Sequence, residues 1–226
     1  MQISKRSAMR ILGGAVFGLL ALCASHAGAS SLTVNGYTLG EMVDVIGSGR
    51  AGYVNTAELD VTLNGVNGYS YCVDLAQDIG VGTSTNWTLR EAEASDGVIR
   101  AAWLVDHFRP TSDASAWGAT KATSIAALQV AVWEVLADTP GNYNLYDGSF
   151  RIAAGGASAG VMSLARNFLG ELENASMDGF TTDSIWAYNP TRQDQIFVNP
   201  IPEPSSILLF SAGAGLVAFA ARRKRA

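Results

Sequence analysis

The spacing of apolar positions divides the 226-residue chain into distinct regions. Two unbroken apolar runs, Ile11 to Cys23 and Ser205 to Ala221, stand near its ends. Between them the apolar residues are periodic. Leu32-Thr33-Val34, Met42-Val43-Asp44-Val45 and Leu59-Asp60-Val61-Thr62-Leu63 show β-strand patterns. Asn64-Gly65 and Asn67-Gly68 supply turn chemistry ahead of Tyr69. Tyr69, Tyr71, Val73 and Leu75 then alternate with Ser70, Cys72 and Asp74, and a period of two places Cys72 on the polar face. The spacing next becomes helical. Val98, Ala101, Ala102, Val105 and Phe108 form one stripe, stopped by Pro110; Ile125, Leu128, Val132 and Leu136 form a second, ending before Thr139-Pro140. Gly141 to Gly148 reads as a loop, and Val161, Leu164, Phe168, Leu169 and Leu172 predict a third helix. Strand patterns return at Ile185 to Tyr188 and Gln195 to Val198. Strands, then helices, then strands predict an α+β fold: a β-sheet or β-sandwich-like domain over residues 30–200 with a helical insertion.

The end runs have a different logic. Lys5, Arg6 and Arg10 open the first, and Ala27-Gly28-Ala29 follows it. A basic start, an apolar run too short to span a bilayer comfortably and an A-x-A pattern predict a signal peptide over residues 1–29, cleaved after Ala29. Lipid attachment at Cys23 is disfavoured, because Leu22 stands where a small residue is wanted. At the other end Pro202-Glu203-Pro204 precedes the second run, and Arg222-Arg223-Lys224-Arg225 closes it. That basic cluster would hold the far end of a short membrane helix in the cytoplasm. The three features, in this order over residues 201–226, resemble the PEP-CTERM sorting signal of Gram-negative bacteria. The resemblance implies transient inner-membrane anchoring and cleavage near the Pro-Glu-Pro by an exosortase. It further implies delivery to the cell surface or the medium, in systems that usually accompany exopolysaccharide production.

Removing both ends changes the charge. Of 15 basic residues, three lie in the signal and four in the tail, leaving eight; of 20 acidic residues only Glu203 lies outside the domain, leaving 19. The remaining domain is near −11, which argues against nucleic acid as a partner and favours the approach of cations, amines among them. It also keeps a single cysteine, Cys72, in a protein bound for an oxidising compartment. Such a thiol is either a buried small hydrophobe, half of an intermolecular disulfide, a nucleophile, or masked in another covalent bond.

Tyr71-Cys72-Val73 matches the aromatic-Cys-hydrophobic motif of the thioester domains of bacterial surface adhesins. Leu128-Gln129-Val130-Ala131-Val132-Trp133 is similar to their TQxA motif, with Leu128 in place of Thr, and Gln193-Asp194-Gln195-Ile196-Phe197-Val198 resembles their last strand. The resemblance covers Tyr71 to Val198. It implies a covalent adhesion module in which an internal Cys–Gln thioester captures an amine on a surface or matrix component, at most once, without turnover or cofactor. By alignment the thioester-forming pair is Cys72 and Gln193. Gln195, two residues on and on the same face of a strand, is the alternative; Gln129 is the third candidate and is expected in a supporting hydrogen-bonding role.

Two other readings compete. The domain could be a non-covalent structural protein of an exopolysaccharide or biofilm matrix, with Cys72 simply a thiol. Less favoured is a cysteine hydrolase using Cys72 and His107, the one histidine left after the signal is removed. No His/Cys cluster suggests zinc and no Gly-rich loop opening a helix suggests phosphate; Asp74 and Asp78 form no EF-hand pattern.

Overall fold

The computed structural model describes residues 30–92, 96–110 and 118–198; the expected signal peptide and sorting tail lie outside them. The segments 32–34 and 42–45 belong to one long strand, β1 (Ser30–Gly47). Its register shifts between Val34 and Gly36 and again between Leu39 and Met42, and each irregularity interrupts the period of two. A turn at Ser48-Gly49 leads into β2 (Arg50–Leu63), and the expected Asn64-Gly65 turn leads into β3 (Val66–Cys72). Both residues of each turn have positive φ, the requirement of a type I′ hairpin. β4 (Gly82–Glu91) carries a polar sequence with Trp87 as its one buried large side chain.

Three helices follow as expected: α1 (Asp96–Phe108), α2 (Lys121–Ala137) and α3 (Ala159–Asn174), with the short strand β5 (Phe150–Ile152) before α3. β6 (Ile185–Tyr188) and β7 (Gln195–Val198) are the last elements among the described residues. The strands form one seven-stranded antiparallel sheet in the order β2-β3-β7-β6-β4-β1-β5, and β1 also pairs with β2. That extra pairing closes six strands on themselves. The expected α+β class therefore stands as a sheet-rich fold with three helices, in which a closed ring takes the place of an open sheet or a sandwich.

The ring divides the apolar residues in two. Leu32, Val34, Leu59, Val61, Leu63, Trp87, Ala187 and Phe197 pack together as a small core of the strands alone. The larger core joins Val43, Val45, Val54, Tyr71 and Ile196 to the helices. α2 lies at its centre, buried at all 13 positions from Thr123 to Val135. A helix apolar on every side is a buried helix, and its alanines let neighbours approach closely. Gly40 of β1 meets it at such a place: a Cβ there would overlap the Thr56 hydroxyl and stand 2.9 Å from the Ala126 nitrogen. Replacing Gly40 with Ala should destabilise the domain by about 1–3 kcal/mol, the usual cost of overpacking, measured by urea unfolding.

α2 also fixes the loop it leads into. The Asp138 carboxylate accepts from Ser149 and Phe150 N–H, and Glu134 Oε1 accepts from Asn144 N–H at 2.6 Å. Burial, with the Asp138 charge adding to it, pushes the Glu134 carboxyl up to about 8, against the lowering effect of the Asn144 bond. An unfolded Glu loses its proton near pH 4.3, so between roughly pH 4.3 and 8 the folded state binds the extra proton and the contribution of Glu134 to stability falls as pH rises. Glu134→Gln should therefore gain on the wild type from pH 5 to pH 8.5, measured as the difference in denaturation midpoints, with little change in that difference below pH 4.

Candidate functional site

Cys72 is the last residue of β3 and stands directly opposite Gln195, the first of β7. One residue further along, Val73 N–H donates to Asp194 O at 2.8 Å. The peptide groups of Cys72 itself face the other way. Its N–H donates to Gln129 Oε1 at 3.1 Å, and its carbonyl accepts from Gln129 Nε2 at 2.7 Å. Cys72 and Gln195 thus form a non-hydrogen-bonded pair, the kind in which opposite Cα atoms lie about 4.5 Å apart and side chains are brought closest. β2 pairs with β3 only as far as Ser70, so beyond that point the Gln129 amide takes the place of the next strand.

The Gln195 carboxamide is fully buried and fully engaged. Its Nε2 lies 3.1 Å from Gln193 O and 3.7 Å from Cys72 Sγ, and its Oε1 accepts from Ser70 Oγ at 2.9 Å. Gln193 is placed differently from the sequence expectation. It sits in the turn before β7, where its N–H reaches Asp78 O and its Nε2 donates to Asp74 O. The same-face argument linking Gln193 to Gln195 fails because the strand begins only at Gln195. Asp74 stabilises this turn further, accepting from Gln77 N–H and Asp194 N–H.

Cys72 is half-buried and lies in the wall of an open cavity of about 550 Å³. Trp133, one helical turn beyond Gln129, borders the same space, as do the exposed rings of Tyr37 and Tyr53. At its edge Arg50 pairs with Asp78 through two bonds of 2.8 and 3.1 Å. Burial pushes the Cys72 thiol up to about 12; the Gln195 bond opposes this and the Asp74 and Asp78 carboxylates add to it. At neutral pH the sulfur is therefore protonated and a weak nucleophile toward the outside.

The other face of β3 is held as firmly. Tyr71 OH donates to Glu58 Oε2 at 2.9 Å, and Arg109 Nε meets the same oxygen at 2.8 Å. Lys121 approaches Glu58 Oε1 at 3.4 Å, and the Arg109 guanidinium lies 3.6 Å above the Tyr69 ring. Burial, with the Glu58 carboxylate next to it, raises the Tyr71 hydroxyl well above the ordinary phenol range.

His107 does not join Cys72. Its Nδ1 faces Trp103 O at 2.8 Å, its ring stacks on Trp103 at 3.9 Å, and it borders a different cavity with Phe108 and Glu171. Asp78 is committed to Arg50, and among the described residues no group of three His, Cys, Asp or Glu side chains is placed to hold a metal. Ser70 was not singled out from the sequence, although it shares the alternating face with Cys72.

Residues 200–225 match the PEP-CTERM protein-sorting motif. No curated protein and no solved structure matches the chain. The tail thus marks an exported protein, membrane-anchored before an exosortase processes it, while the likeness of Tyr71 to Val198 to thioester domains gains nothing from these comparisons. Gln129→Ala tests the local geometry. It should cost about 1–3 kcal/mol for the orphaned peptide groups, and it should speed hydrogen exchange at the Cys72 amide more than at Leu59.

Proposed function

We propose that residues 30–200 form a covalent binding module, displayed at the surface of a Gram-negative cell or released from it, that captures amines through an internal thioester between Cys72 and Gln195. The observation that carries this reading is the contact of Gln195 Nε2 with Cys72 Sγ at 3.7 Å across the β3–β7 pair. The signal peptide (1–29) and the tail (201–226) are the parts removed on the way. Signal peptidase and the exosortase are its processing partners, and a surface or matrix component bearing an amine is its target.

The chemistry balances within the site. Cys72 Sγ attacks Gln195 Cδ, the S–C bond forms, and the C–N bond breaks. The thiol proton leaves with the amide nitrogen as ammonia. With the thiol pushed up to about 12, proton transfer accompanies attack and does not precede it. An entering amine then forms an amide with the former Gln195 carbonyl and returns the proton to sulfur. Gln129 supports the reaction by fixing the Cys72 backbone, since reacting atoms must be held at near-attack distance. Gln193, which alignment places in the bond, is assigned to the turn that aims β7.

Intact mass of the exported chain tests this. The wild type should be one ammonia lighter than its residues sum to, inert to maleimide, and should gain one methylamine as its thiol appears. Cys72→Ala and Gln195→Ala should abolish the ammonia loss, and Gln193→Ala should keep it. Full mass with an immediately reactive thiol would leave the non-covalent matrix protein as the better reading.

A further inference from the structure

Ser70 lies two residues before Cys72 on β3, with its side chain completely buried. Its hydroxyl donates to Gln195 Oε1 at 2.9 Å. The orientation of that amide is settled at its other end. Gln193 O accepts and never donates, so the group 3.1 Å from it must be the Gln195 nitrogen. The oxygen therefore faces Ser70, while the nitrogen faces Cys72 Sγ. The carboxamide is held with its departing group beside the sulfur and its carbonyl oxygen on a buried hydroxyl donor.

We propose that Ser70 is a catalytic residue of acyl transfer at Cys72 and Gln195, the donor that stabilises negative charge on Gln195 Oε1. The inference rests on the thioester reading and goes beyond it. When sulfur attacks Cδ, the carbonyl π electrons move onto Oε1, and the Ser70 O–H shortens onto that oxygen. Collapse of the intermediate expels ammonia and restores the carbonyl. Amine capture repeats the sequence with the thiol as the group expelled, and Ser70 meets the same oxygen again. It neither gains nor loses a proton over either half. The other amides nearby are committed elsewhere, Gln129 to the Cys72 backbone and Gln193 to Asp74 O. A donor already in place in a water-poor interior needs no reorganisation as charge develops, which is why such groups count for much in acyl transfer.

A purely structural Ser70 would merely satisfy a buried amide, so the test reads rates. In the full exported chain, Ser70→Ala should lose ammonia roughly 10²-fold more slowly than wild type, and methylamine should open its thioester with a similar loss. Ser70→Thr, which retains the hydroxyl, should recover most of both rates. Circular dichroism and the unfolding midpoint establish that the variants fold. Should Ser70→Ala not fold, the infrared band of a ¹³C-labelled thioester carbonyl in the wild type serves instead. It should lie below that of the denatured protein, and an unshifted band overturns the proposal. Wild-type rates in Ser70→Ala overturn the role of Ser70 and leave the thioester standing. If the wild type never loses ammonia, the thioester and this inference fall together.

Discussion

The double hydrogen bond between the Gln129 carboxamide and the peptide groups of Cys72 is the constraint on which the arrangement depends. β2 and β3 part company after Ser70, and an unpaired N–H and C=O in a partly buried strand are costly. A side-chain amide has the same donor and acceptor as a peptide, so Gln129 closes the ladder from a helix. This fixes which way the Cys72 peptide faces, and hence that Cys72 and Gln195 meet as a close pair. Moving the glutamine by one helical position would aim it away from the strand.

β3 is thereby held on both faces by different physics. Toward the helices, Tyr71 and Tyr69 are tied to the buried Glu58–Arg109 pair. Such a pair contributes little net stability once desolvation is counted, but removing one partner strands a charge, so it defines a geometry more than it adds energy. Toward the ring interior, Ser70, Cys72 and Gln195 share one chain of polar contacts. A strand with both faces specified has little freedom to slide in register, and a two-residue slip is the error that would exchange Gln195 for another partner.

Much of this was legible in the sequence, for identifiable reasons. α1 and α3 have one-sided apolar stripes, and β6 and β7 begin and end where the pattern places them. In sequence β1 has the pattern of two pieces because its irregularities break the alternation. β4 escaped because Trp87 is almost its only buried side chain, so its place is set by partners distant in sequence. The triad of Cys72, Gln129 and the last strand was visible as residue types in order. Which of Gln193 and Gln195 stands opposite Cys72 was not, because it turns on whether the strand starts before or after a turn held by Asp74 and Asp194. Ser70 is inconspicuous for a related reason: its partner is 125 residues away, and a serine on a polar strand face carries no mark of what it will meet.

How far the ring closes has a consequence for an exported molecule. Closure is local: Arg50–Glu58 of β2 pair only with β1, and Gly36–Val43 of β1 only with β2, so each keeps one edge outside the ladder. Exposed ladder edges are where copies of a β-protein add to one another. On β1 that edge carries both register shifts of the strand, and a bulged, twisted edge is a poor template for a second copy.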